Sequence, residues 1–187
     1  TEMNADEICA ALLKDKDFYT ESGGGITLSG GECLLQSEAC CEILKTMKQN
    51  GINTAVDTCG FVPRAAIDRV MPYTDTFLYD IKAIDEDVHI KCTGQSNKTI
   101  LDNLVYLDNC GAKSEIRIPY IPNYNDGQID KIAKFLSGLN HVVRVRVLPY
   151  HNYAASKYAA LGMDNTLPEK LPLDEDISAA EKILNGI

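Results

Sequence analysis

GGGITLSGGE, residues 23–32, is a short strand followed at once by a turn of two glycines and an acid. Gly25 to Ser29 carry the aliphatic and β-branched side chains that suit a strand, and Gly30-Gly31-Glu32 lead into a helical stretch. A strand that feeds a helix is the first half of a βαβ unit. Gly23-Gly24-Gly25 make no dinucleotide fingerprint, because a phosphate loop has to follow its strand and these glycines precede it.

Outward from this unit the pattern repeats. Upstream, Thr1 to Lys16 reads as a helix with Ile8, Leu12 and Leu13 on one face, and Phe18 and Tyr19 follow in a loop. Downstream, Ser37 is the expected N-cap of a helix whose stripe is Cys40, Ile43, Leu44 and Met47, with Gly51 just past its end. Asn53 to Thr58 is a second strand, Pro63 to Val70 a helix and Thr76 to Ile81 a third strand. After a loop holding Gly94, Ser96 is expected to cap a helix carrying Ile100, Leu101, Leu104 and Leu107, closed by Gly111. Lys113 to Ile121 is a fourth strand, and Asp126 caps a helix with Ile129, Ile132, Ala133, Leu136 and Leu139 on one face. His141 to Tyr150 is a fifth strand. A long polar loop then runs to Asp174, where a last helix buries Ile177, Ala180, Ile183 and Leu184. Strands alternating with helices predict right-handed βαβ units and a parallel sheet, either open and doubly wound or part of a barrel.

A chain of 187 residues, 45% of them hydrophobic, can bury one sizeable core, so residues 1–187 are expected to form one domain. A net charge of −9 argues against a nucleic-acid surface, which needs a basic stripe. No apolar run approaches the roughly 20 residues that span a bilayer, and no secretory pattern opens the chain. The expected setting is the cytoplasm, with the seven cysteines reduced and mostly filling the core. The helix at the very start and the missing initiator methionine point to a chain that continues upstream.

The polar residues that ask for explanation fall at the C-terminal ends of the strands. Gly30, Gly31 and Glu32 end the first, Asp57 and Thr58 the second, and Asp80 and Lys82 the third. Arg117 comes late in the fourth and His151 just follows the fifth. In a parallel barrel these ends share one rim, where active sites are built. Converging charges are costly unless paired, solvated or bound to a ligand. Each has a plainer reading: a tight turn at Gly30-Gly31, a helix-start carboxylate at Glu32, an N-cap pair at Asp57-Thr58, a Lys82–Asp80 ion pair, an Arg117–Glu115 ion pair and a loop histidine at 151.

With GGGITLSGGE, five further blocks carry a resemblance: VDTCGFVPR (56–64), YDIKAID (79–85), TGQSN (93–97), IRIPYIPNYND (116–126) and LPYHNYAASKYAALGM (148–163). In this order and spacing they make the chain similar to the glycyl radical enzyme activating enzymes, of the pyruvate formate-lyase activating type, within the S-adenosylmethionine (SAM) radical superfamily. The resemblance implies an α/β fold, a partial (β/α)6 TIM-like barrel with about five parallel strands and its first strand missing. It implies that Gly30, Gly31 and Glu32 receive the methionine ammonium of SAM, and that Asp57, Lys82 and His151 also contact SAM. It implies a monovalent cation held by Asp57, Thr58, Leu78 and Asp80, and an Arg117 that holds the glycine-bearing loop of a partner. The implied partners are a glycyl radical enzyme such as pyruvate formate-lyase and an electron donor such as flavodoxin or ferredoxin. The implied chemistry is reductive cleavage of SAM at a [4Fe–4S] cluster.

One departure stands out. The family holds its cluster with a Cys-x3-Cys-x2-Cys loop, and no three of Cys9, Cys33, Cys40, Cys41, Cys59, Cys92 and Cys110 have that spacing. The cluster ligands are therefore expected upstream of Thr1, and these 187 residues alone are expected to be inactive. Cys33 stands where the family usually has proline, and Cys59 where asparagine or serine is common. Two other readings are kept: a Schiff-base lyase or aldolase barrel using Lys82, and a peptide-binding module using the loops around Tyr120 and Tyr124.

Overall fold

A computed structural model describes residues 2–152, 162 and 168–186. Five strands, β1 (Gly25–Leu28), β2 (Asn53–Thr58), β3 (Thr76–Asp80), β4 (Ser114–Tyr120) and β5 (Val142–Pro149), are hydrogen-bonded in sequence order. The described helices are α1 (Ala5–Leu12), α2 (Lys16–Ser22), α3 (Ser37–Gln49), α4 (Arg64–Val70), α5 (Glu86–Thr93), α6 (Lys98–Asn109), α7 (Ile129–Leu136) and α8 (Asp174–Leu184).

β1, β2 and β3 pair in parallel, with Ile26 opposite Thr54 and Asp57 opposite Leu78. Main-chain bonds from Phe77 N to Lys113 O and from Ile81 N to Arg117 O advance together, so β4 joins in parallel. Ser114 N to His141 O and Tyr150 N to Tyr120 O place β5 the same way. A strand order that never reverses is that of a barrel wall. A doubly wound sheet would change direction at a switch point.

The chain divides into two compact units. The first comprises Thr1–Tyr79, Thr99–Glu115 and Asn140–Val143. Here α3 lays its stripe of Cys40, Ile43, Leu44 and Met47 inward, each 6% exposed or less, against α4 and α1. Burying Leu44 or Met47 stabilises by about 2 kcal/mol each. Helix α1 starts at a capping box: Asn4 Oδ1 accepts from Glu7 N at 2.9 Å, and Glu7 Oε2 accepts from Asn4 N at 2.9 Å.

The second unit comprises Asp80–Lys98, Ile116–Leu139 and Arg144–Ile187. Its core gathers Ile81, Ile118, Ile132 and Leu136, with α7 packed on α8. Two amides tie its loops. Asn125, 2% exposed, donates through Nδ2 to the carbonyls of Lys82 (2.8 Å) and Pro119 (2.6 Å) and accepts from Ile121 N at 2.7 Å. Gln128 Oε1 accepts from Ile84 N at 3.1 Å and from Asp85 N at 2.9 Å.

The strands fall within one residue or so of their expected ends, and several local expectations change. Phe18 and Tyr19 lie in α2 rather than a loop, with Phe18 72% exposed. Ser37 begins α3 instead of capping it, and its hydroxyl accepts from Arg69 Nη1 at 2.6 Å. Ser96 assists α6 from outside, accepting from Lys98 N at 3.2 Å. A 3-10 turn, Asp126–Gln128, precedes α7. Leu139 lies beyond the end of α7, and Ile183 on α8 is exposed. Helix α5 was not expected because its buried residue is His89, whose Nδ1 donates to Gln95 O at 2.7 Å, so no apolar stripe announces it.

Candidate functional site

In the first unit the β1 turn is built around one carboxylate. Gly30 has φ +142°, a region in which a side chain is rarely accommodated, and the turn delivers Glu32 to the end of β2. There Thr58 Oγ1 donates to Glu32, 2.9 Å from each carboxylate oxygen. Cys59 N donates to Oε2 at 3.0 Å and Leu34 N to Oε1 at 3.2 Å, with the Cys59 thiol at 3.3 Å. Thr58, itself 3% exposed, accepts in turn from Gly60 N at 2.9 Å. A carboxylate with this many fixed donors is held in one orientation. Beside it, Ser29 Oγ donates to Asp57 Oδ2 at 2.9 Å.

Beneath lies Tyr79, fully buried, its hydroxyl donating to Ile100 O at 2.7 Å. Burial first, then the nearby Cys59 and Glu32, push this phenol well above its ordinary pKa. It is a neutral strut.

Gly30, Gly31 and Glu32 open onto a cleft of about 380 Å³, whose other walls include Asn4, Ile8 and Cys40. This volume is within the range of about 300–1,000 Å³ typical of small-molecule sites. Larger clefts of about 490 Å³ occur at the N-terminal ends of β1 and β2, around Gly24 and Asp75, and beside Arg69. The first of these is at the end of the strands opposite to where parallel α/β folds place their chemistry, so size alone does not choose the site.

In the second unit a different group assembles. Arg117 places Nε 3.1 Å and Nη2 3.0 Å from Asp80 Oδ1, and Lys82 Nζ lies 3.7 Å from Asp80 Oδ2. These three side chains are 20–28% exposed, so the ion pairs are only partly screened. An ion pair with Asp80 accounts for the place of Lys82 without a Schiff base. His151 is exposed, two residues past β5. The rest of its block, residues 153–161 and 163, lies outside the described residues.

Within the units, then, the structure brings Glu32 to Thr58 and joins Asp80, Lys82 and Arg117, while Leu78 is the register neighbour of Asp57. Sequence reasoning missed Ser29, the Cys59 amide and Asn125. Polar uncharged groups and main-chain donors near turns are too common to stand out. Among the described residues no three His, Cys, Asp or Glu side chains are grouped to hold a metal ion.

The sequence profile of the Radical SAM superfamily matches residues 2–136. The chain is 44% identical over 162 residues to the trans-4-hydroxy-L-proline dehydratase activating enzyme of Clostridioides difficile, covering 84% of this chain and 53% of that one. It is 36% identical over 177 residues to the pyruvate formate-lyase-activating enzyme of Clostridium pasteurianum, covering 94% of this chain and 74% of that one. A crystal structure of a domain of pyruvate-formate lyase-activating enzyme from Bacteroides vulgatus superimposes with a TM-score of 0.72 at 32% identity, covering 87% of this chain and 94% of that one. The chain thus spans about half the length of the Clostridioides difficile relative.

Proposed function

The chain belongs to the radical SAM superfamily and, within it, to the activating enzymes of glycyl radical enzymes, and from that premise we propose that it forms the SAM-binding part of such an activase. One observation carries the reading: the Gly30-Gly31-Glu32 turn opens on a cleft while Thr58, Cys59 and Leu34 fix its carboxylate. Bound SAM would be the source of the hydrogen-abstracting group in such an activase, once a reducing cluster held by residues outside this chain delivered an electron to it.

The residues of this chain bind and orient. Gly30 and Gly31 let the methionine ammonium approach the main chain, and Glu32 gives it a charge-assisted acceptor. The ammonium takes the place of the Cys59 thiol, the weakest of the donors now on Glu32. Lys82 offers its ammonium to the SAM carboxylate, leaving Arg117 to neutralise Asp80, and Asp57 and His151 complete the SAM contacts. Asp57, Thr58, Leu78 and Asp80 hold a monovalent cation through hard oxygen ligands. Arg117 also meets the glycine-bearing loop of the partner, which is pyruvate formate-lyase or a related glycyl radical enzyme. A flavodoxin or ferredoxin supplies the electron. The seven cysteines do not fit the cluster, since their spacing lacks the three-cysteine loop and no metal-holding group forms among the described residues.

The test uses a protein in which the family's three-cysteine loop precedes this chain, reconstituted anaerobically with iron and sulfide. With dithionite and SAM it is expected to release 5′-deoxyadenosine. Lys82→Ala is expected to raise the KM for SAM about tenfold, the loss of one charge-assisted contact. No deoxyadenosine from the cluster-loaded protein overturns the assignment.

A further inference from the structure

We propose that Cys33 and Cys40 form a redox-active dithiol, a site of reversible disulfide formation that reacts with small-molecule disulfides such as glutathione disulfide. Cys33 opens the 3-10 turn Cys33–Gln36 directly after Glu32, and Cys40 lies in the first turn of α3. Seven residues of helical chain bring both to one side. The Cys40 thiol donates to the Cys33 carbonyl at 3.2 Å, and each thiol shifts the pKa of the other. Both line the cleft of about 380 Å³ onto which Gly30 and Gly31 open, so a solute has access to sulfurs that are otherwise half-buried or buried. Of the seven cysteines, these are the two in that cleft.

The environment assigns roles to the two sulfurs. Cys33 holds the Cys40 thiol below its ordinary pKa, against the effect of burial, while Cys40 and burial push the Cys33 thiol up, so Cys40 attacks first and Cys33 follows once Cys40 is capped. Cys40 as thiolate attacks one sulfur of glutathione disulfide; that S–S bond breaks, and one glutathione leaves and takes up a proton. Cys33 then gives its proton to solvent and attacks the Cys40 sulfur, releasing the second glutathione and closing the Cys33–Cys40 bond. Two protein thiols are oxidised and one small disulfide is reduced to two thiols. The new bond draws Cys33 from its contacts with Leu28 O (3.6 Å) and Asp57 O (3.4 Å), beside the turn that positions Glu32. Nothing in this step depends on SAM being the ligand of the cleft.

The experiment holds the 187-residue chain at neutral pH in glutathione buffers from fully reduced to fully oxidised, followed by acid quenching and non-reducing peptide mapping. Cleavage after Glu32, Glu38 and Glu42 separates Cys33 from Cys40, and a Cys41→Ser variant assigns the second sulfur. The expected result is a Cys33–Cys40 link as the main disulfide, retained in Cys41→Ser and lost in reduced glutathione. In Cys33→Ser the mixed adduct on Cys40 cannot resolve and is expected to be about tenfold more abundant than in the unsubstituted chain. The unsubstituted chain reports the link directly, so a poorly folded variant leaves the test intact. The proposal is overturned by a stable glutathione adduct on Cys40 beside a free Cys33 in that chain, by a link to Cys41 or Cys59, or by modification of exposed Cys110 alone.

Discussion

Gly60 sits at φ +70°, and a Cβ built on it would stand 1.6 Å from the Tyr79 hydroxyl. Gly60→Ala therefore combines an unfavourable backbone with overpacking against a fully buried ring, and is expected to destabilise by about 3 kcal/mol. A lower urea midpoint at unchanged slope is the measurement. Thr58 has a subtler role, because its hydroxyl both donates to Glu32 and accepts from Gly60 N. Thr58→Val keeps the shape and removes both bonds, at an expected cost of about 2 kcal/mol. Thr58→Ser restores them. In the cluster-loaded protein, Val and not Ser should raise the KM for SAM, whereas a KM unchanged in Val would remove Thr58 from the positioning of Glu32. Glu32, Asp57, Asp80, Lys82 and Arg117 were legible in the sequence because charge at a strand end is anomalous. Which groups satisfy those charges was not, since Thr58 reaches Glu32 across 26 residues of chain and Arg117 reaches Asp80 across 37.

Elements were legible where burial is one-sided. The stripe of α3 is readable from Cys40, Ile43, Leu44 and Met47 because all four face the same core. Helix α5 was hidden because it buries an imidazole, and the order of the strands followed only from their hydrogen bonds. What fixes the loops after β3 and β4 is equally silent in sequence, because one amide, Asn125, serves both. Asn125→Ala removes three hydrogen bonds from a residue 2% exposed and leaves two carbonyls and an N–H without their partner. The expected loss is about 3 kcal/mol. Asn125→Asp should be no milder, since a carboxylate would face the carbonyls of Lys82 and Pro119 as an acceptor against acceptors. Thermal unfolding of both variants reads this directly. An Asp variant as stable as the native chain would show that these loops are held by something other than the amide.

For the molecule as a whole, an excess of acid, 27 Asp and Glu against 18 Lys and Arg, makes its stability depend on where carboxylates find donors. Asp75, ahead of β3, is the clearest case. Its carboxylate is paired with Lys48 and accepts from Thr54 N at 2.9 Å and from Thr54 Oγ1 at 3.1 Å. Burial alone would raise its pKa, but the Lys48 hydrogen bond and those from Thr54 outweigh that and hold it below the ordinary value. A carboxylate with a depressed folded pKa binds its proton more readily in the unfolded chain. Its contribution is therefore complete above the unfolded pKa of about 3.9 and is lost as pH falls through the lower folded value. Asp85, lowered by hydrogen bonds from Lys131 and Gln128, shifts the balance in the same direction. Stability measured by urea unfolding should be level from about pH 7 to 5 and decline below about pH 4. Asp75→Asn should lose stability at neutral pH and show a shallower acid decline. With the side chain 36% exposed, solvent screening limits the neutral-pH loss to about 1 kcal/mol. Parallel acid profiles for the two proteins would mean that Asp75 titrates alike in both states, and its network would then be decoration on a sheet held by packing alone.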